Sequence, residues 1–95
     1  MVRIEIDDNK GTVERIRGYS FFQKKERYEL CRFESVRLSE TAIAIEEGYL
    51  RILYSVYLEA PGSCCELIAT YDENRARSLH RELAELLRQI KARRE

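Results

Sequence analysis

Ninety-five residues make one domain's worth of chain, with enough surface to bury for one modest core. Apolar residues are 44% of it and charged residues 36%, the charges interspersed among the apolar positions, which excludes a disordered tail. Seventeen basic and seventeen acidic side chains cancel, so the chain lacks the basic footprint of a nucleic-acid binder and any general attraction to anionic membranes.

Val2, Ile4 and Ile6 alternate with Arg3, Glu5 and Asp7, the period-two signature of a half-buried strand. Asp8, Asn9, Lys10 and Gly11 supply turn chemistry, and a second strand over residues 12–22 completes a hairpin. Its apolar residues are Val13, Ile16, Tyr19, Phe21 and Phe22, and the step of three from Val13 to Ile16 breaks strict alternation, which predicts a bulge or a local twist. Residues 23–27 are polar and charged, so the next connection is placed there. Residues 28–39 resume as a strand. Tyr28 and Leu30 share one parity and Cys31 and Phe33 the other, so a kink is expected near residues 33–35. Residues 41–45 fit a short strand or a helical turn, closed by a turn at Glu46, Glu47 and Gly48.

The clearest strand follows, with Leu50, Ile52, Tyr54, Val56 and Leu58 on one face and Tyr49, Arg51, Leu53, Ser55 and Tyr57 on the other. After a Pro61-Gly62 turn, Cys65, Leu67, Ala69 and Tyr71 alternate with Cys64, Glu66, Ile68 and Thr70 in a last strand. Asp72 suits a helix N-cap, with Thr70 and Glu73 as a competing capping box. Ala76, Leu79, Leu83, Leu86, Leu87 and Ile90 recur at spacings of three and four, predicting an amphipathic helix over residues 73–93. At ~30 Å it is longer than a compact sheet of this size needs, so its last turns are expected to project or to meet a partner. The chain therefore reads as a single α+β domain over residues 1–95: five or six antiparallel strands within residues 1–71, then one long C-terminal helix.

This order of elements resembles the small bacterial pleckstrin-homology-like (PH-like) domains. The early hairpin Ile4-Glu5-Ile6, with its polar turn and Thr12-Val13, carries part of the resemblance. Phe33-Glu34-Ser35-Val36-Arg37-Leu38 is similar to the F-x-x-V/I-x-V/L strand of such domains. So is the ending, where Tyr54-Ser55-Val56-Tyr57-Leu58, a glycine turn and a further strand lead into Asp72-Glu73-Asn74-Arg75-Ala76-Arg77. The resemblance implies an orthogonal sandwich or open barrel of antiparallel strands closed at one end by the helix, and a non-catalytic binding or assembly module. Five or six strands, against seven in a complete domain of that type, leave a single curved sheet with the helix on one face as the alternative.

No residue set announces chemistry. Asp7, Asp8 and Asn9 precede Gly11 in a register that suits a hairpin turn and fails a calcium loop, which wants its glycine at the sixth position. His80 is the sole histidine, so a His dyad or a multi-His metal site is ruled out. A mixed zinc site would need Cys31, Cys64, Cys65 and His80 to converge, yet neighbours on a strand point to opposite faces. Cys65 shares the parity of Leu67, which predicts burial; Cys64 is the more exposed, with no base assignable to it. The expectation is no enzyme, no catalytic residue, no metal and no cofactor.

Two surfaces stand out instead. Lys24, Lys25 and Arg27 form the one local basic cluster, beside Tyr19, Phe21, Phe22 and Tyr28, and would suit an anionic lipid headgroup or a membrane surface. Tyr49, Leu53 and Tyr57 share the face opposite the best apolar stripe: an interface if that face is open to water, a second core layer if it is closed. No apolar run approaches 18 residues, nothing at the start resembles a signal peptide, and three cysteines, two of them adjacent, make a poor disulfide framework. Reduced thiols and a cytoplasmic location follow as expectations. The leading expectation for function is an interaction or assembly module, contacting a protein partner or itself and not nucleic acid. The alternative is an anionic lipid or membrane-surface module.

Overall fold

The computed structural model describes residues 2–19 and 21–94. Six antiparallel strands form two three-stranded meanders, followed by one helix. The first sheet holds β1 (Val2–Asp7), β2 (Thr12–Tyr19) and β3 (Phe22–Glu29); the second holds β4 (Ser35–Glu46), β5 (Tyr49–Ala60) and β6 (Ser63–Thr70). Helix α1 spans Glu73–Arg94. The expectation of one barrel or one curved sheet is thus corrected to two separate sheets. The chain breaks between them at a 3-10 turn, Leu30–Arg32, whose Leu30 is fully buried. That break falls just ahead of the kink expected at residues 33–35.

The second strand, expected over residues 12–22, is shorter than that, and the next begins earlier than expected. β2 ends at Tyr19, and residues 23–27, read from sequence as a connection, lie inside β3. Their charges are accommodated by cross-strand pairing: Glu26 faces Arg15, and Arg27 faces Glu14. Gly18 makes the turn beyond β2 feasible. Its φ is +116°, and a Cβ there would lie 2.0 Å from the Phe22 carbonyl oxygen. Residues 41–45, open between strand and helical turn, continue β4.

Along α1, Ala76, Leu79, Leu83, Leu86 and Leu87 are buried against Val13, Leu30, Val56, Leu58, Leu67 and Ile68, which makes one core from both sheets and the helix. Val2, Ile4, Ile6 and Tyr28 of the first sheet pack against it. Full burial of each leucine contributes on the order of 1.5–3 kcal/mol. Asp72 caps the helix as expected, its Oδ1 accepting from the Arg75 N–H at 3.2 Å, while Thr70 Oγ1 accepts from the Asp72 N–H. In β6 a bulge opposite Val56 and Tyr57 turns both Leu67 and Ile68 inward and leaves Ala69 exposed, so the simple alternation read from sequence fails there.

The contacts of α1 fix its direction. Near its start, Arg75 donates to the Val2 carbonyl at 2.9 Å and Arg77 pairs with Glu40 at 2.7 Å. Near its end, Ile90 packs against the core and lies over Gly11, and the Lys91 ammonium donates to the Glu34 carbonyl. The end of the helix is therefore docked, which corrects the expectation of projecting last turns. The overhang lies at the opposite pole and is made of strand.

Candidate functional site

β5 has twelve residues and β6 only eight, and β6 pairs with β5 no further than Tyr54 and Thr70. On the other side, β4 passes the helix start at Glu40 and runs six residues more. From Thr41 to Leu53, β4 and β5 pair only with each other, a two-stranded arm about 20 Å long at ~3.3 Å per residue. It stretches the molecule to 52 Å along one axis, against 33 and 26 Å along the others.

The arm carries the apolar stripe of β5 out of its cover. Val56 and Leu58 are fully buried beneath α1, Tyr54 is half-buried at the helix start, Ile52 is 41% exposed and Leu50 is 70% exposed. The register places Ala42 beside Ile52 and Ala44 beside Leu50, so the outer stripe is apolar across both strands. A bulge at Ile45 carries the chain into the turn, where Glu46 pairs in register with Tyr49. Ile45 and Tyr49 are exposed as well, beside the exposed carboxylates Glu46 and Glu47. A polar rim closes the core at the base of the arm: Tyr54 Oη donates to Glu73, and Arg77 bridges Glu73 and Glu40.

Of the aromatic face predicted from sequence, the three residues separate. Tyr49 stands exposed near the arm's tip, Leu53 is half-buried at its base, and Tyr57 lies between β4 and β6 with the Arg37 guanidinium 4.5 Å above its ring. The more exposed apolar stripe is the opposite one, through Leu50 and Ile52, which sequence reasoning assigned to the core. The available signal was length: an eight-residue strand and a helix starting directly after it do not cover a twelve-residue partner.

The predicted basic cluster is also divided. Lys24 stands across from Arg17 on one face of the first sheet, while Lys25 and Arg27 occupy the other. Arg27 is held by Glu14, through hydrogen bonds of 3.0 and 2.7 Å. Lys24 and Lys25 remain exposed without an ion pair among the described residues, next to Phe21 and Phe22, which are 91% and 85% exposed. Val2 pairs with Arg17 and Arg17 with Lys24, so this basic, aromatic tip lies at the same pole as the arm, beyond the start of α1.

One further polar group was not foreseen. Glu26 accepts from Tyr28 Oη at 2.7 Å, from Arg15 at 2.8 Å and from Arg17 at 2.7 Å, which pulls its carboxyl down to about 2. Burial, with help from neighbours including this carboxylate, pushes the Tyr28 phenol above its ordinary range. Arg15 also donates to the Glu66 carbonyl, tying the first sheet to β6. Tyr28, Arg15 and Arg17 each donate to Glu26, with Arg15 Nε left buried and without a hydrogen-bond partner among the described residues, so the group reads as a clamp. His80 Nε2 lies 3.0 Å from the Val36 carbonyl oxygen, and Cys64 and Cys65 sit on β6, Cys64 the more exposed. Among the described residues no three His, Cys, Asp or Glu side chains are placed to hold a metal ion, and no helix is long and apolar enough to cross a membrane. Set against protein-family models, curated proteins and solved structures, the chain matches none.

Proposed function

We propose that this chain is a non-catalytic interaction module whose contact surface is the β4–β5 arm. The observation that carries the reading is the uncovered stripe. Apolar side chains continuous with the core run out past the helix on a two-stranded ribbon that, among the described residues, pairs with no third strand and is braced on its other face by the Arg51 guanidinium, 4.1 Å over the Tyr71 ring. An isolated two-stranded hairpin is marginal in water, and an exposed apolar patch of this kind marks a binding surface. The resemblance to PH-like domains belongs to the same proposal, since antiparallel strands followed by a C-terminal helix agree with the order it implies. The lipid-headgroup reading has less behind it, because Arg27 is occupied by Glu14 and the seventeen basic side chains are balanced by seventeen acidic ones.

The test is a photocrosslinking side chain placed at Leu50 in the living cell, with Arg81, on the exposed side of α1, as the control position. A discrete protein adduct at position 50 and none at position 81 is the expected result. No adduct at the arm would sink the reading.

A further inference from the structure

The tip of the arm and the tip of the β2–β3 hairpin have complementary chemistry and lie at one pole. The arm offers Ile45, Tyr49, Leu50 and Ile52 beside Glu46 and Glu47; the hairpin offers Phe21 and Phe22 beside Lys24 and Lys25. None of these four charges has an ion pair among the described residues. Within one chain the two surfaces do not satisfy each other, since Phe21 and Phe22 are almost fully exposed. We infer that the occupant of the arm is a second copy of this chain, docked pole to pole about a twofold axis. The acidic, apolar arm of each copy seats on the basic, aromatic hairpin tip of the other.

A twofold interface requires both complementary patches on the same face of one subunit, so that each contact is made twice. Both tips lie at one pole, beyond the start of α1. Seventeen positive and seventeen negative side chains leave no net charge to hold two copies apart. A specific interface needs roughly 800 Å² from each partner. That is a little over a tenth of the chain's 6859 Å², within reach of two projecting hairpins contacted twice. The inference rests on the reading of the arm as a contact surface and adds the identity of what it contacts.

The experiment is solution mass by light scattering over a concentration series, for the wild type, for Lys24→Glu with Lys25→Glu, for Glu46→Lys with Glu47→Lys, and for an equimolar mixture of the two variants. The wild type should reach twice 11.3 kDa. Each charge-reversed variant should self-associate at least about tenfold more weakly. Mixing them should restore the doubled mass, because both contacts of the mixed dimer then pair opposite charges, and misfolded variants have no means of producing that rescue. A wild type that stays monomeric into the millimolar range overturns the inference, as does charge reversal without effect. So does a monomer that binds anionic vesicles through Lys24 and Lys25, which would make the hairpin tip a membrane contact. A monomer that still forms a foreign adduct at position 50 would overturn the self-association and leave the arm's contact role standing.

Discussion

Three donors converge on Glu26, and that has a consequence for acid stability. A carboxyl whose folded-state pKa is about 2, against an ordinary 4.5, contributes stability that is fully present above pH 4.5 and lost as pH falls through about 2. Urea unfolding followed from pH 6 downward should therefore show a falling midpoint across that window, and Glu26→Gln should flatten the fall while lowering stability at neutral pH. An equal slope in the variant would mean that the other acids carry the whole effect. Glu26 is also where the sequence was least readable. A charge inside a run of five polar residues, 23–27, looks like a loop until its partners are known, and Arg15 stands eleven residues away. The turn ahead of it was hidden for a related reason. Phe21 and Phe22 have the composition of strand, while Gly18, whose positive φ marks the change of direction, lies within β2 itself.

The arm as an element is stable only through its base. Leu50→Ser removes apolar surface that the folded monomer mostly exposes, so it should change unfolding free energy by no more than about 0.5 kcal/mol at concentrations where the chain is monomeric. Ile52 is more than half covered, so Ile52→Ser should cost about 1 kcal/mol. Leu83→Ala, at a fully buried position on α1, should cost about 2–5 kcal/mol. Denaturant titration of the three variants checks the contrast, and a loss at Leu50 comparable to that at Leu83 would place the stripe in a core. Both stripes of β5 were legible in the sequence, because alternation fixes which residues share a face. Where the cover ends was legible only as a mismatch in length between β5 and β6, since it also depends on where α1 lies across the sheet. The bulge that brings Leu67 and Ile68 inward together is similarly invisible to a period-two reading, because one extra residue resets the parity.

For the molecule as a whole, α1 is what makes two sheets into one body. It reaches the Val2 carbonyl at one end and Gly11 at the other, and its leucines share a core with both sheets. Truncation after Gln89 removes Ile90 and Lys91 from the closed pole, so it should lower stability by about 1–3 kcal/mol, read from the urea midpoint. A truncated chain as stable as the full one would mean that the last turns are a free overhang after all. Six strands and a helix could be counted from the sequence to within one strand, but their division into two sheets could not. That division is made by three residues of 3-10 turn around Leu30, too short for any periodic signal.

The pairing within the arm also makes it a gauge. Removing one residue from each strand would draw the tip in by one ~3.3 Å step and, because successive side chains alternate, present it with the opposite face. Removing two from each would shorten it again with the original face restored. Reach and orientation are thus locked together in the ribbon, and changes in its length would preserve the outward aim of Leu50 and Ile52 only when they come in even steps along each strand.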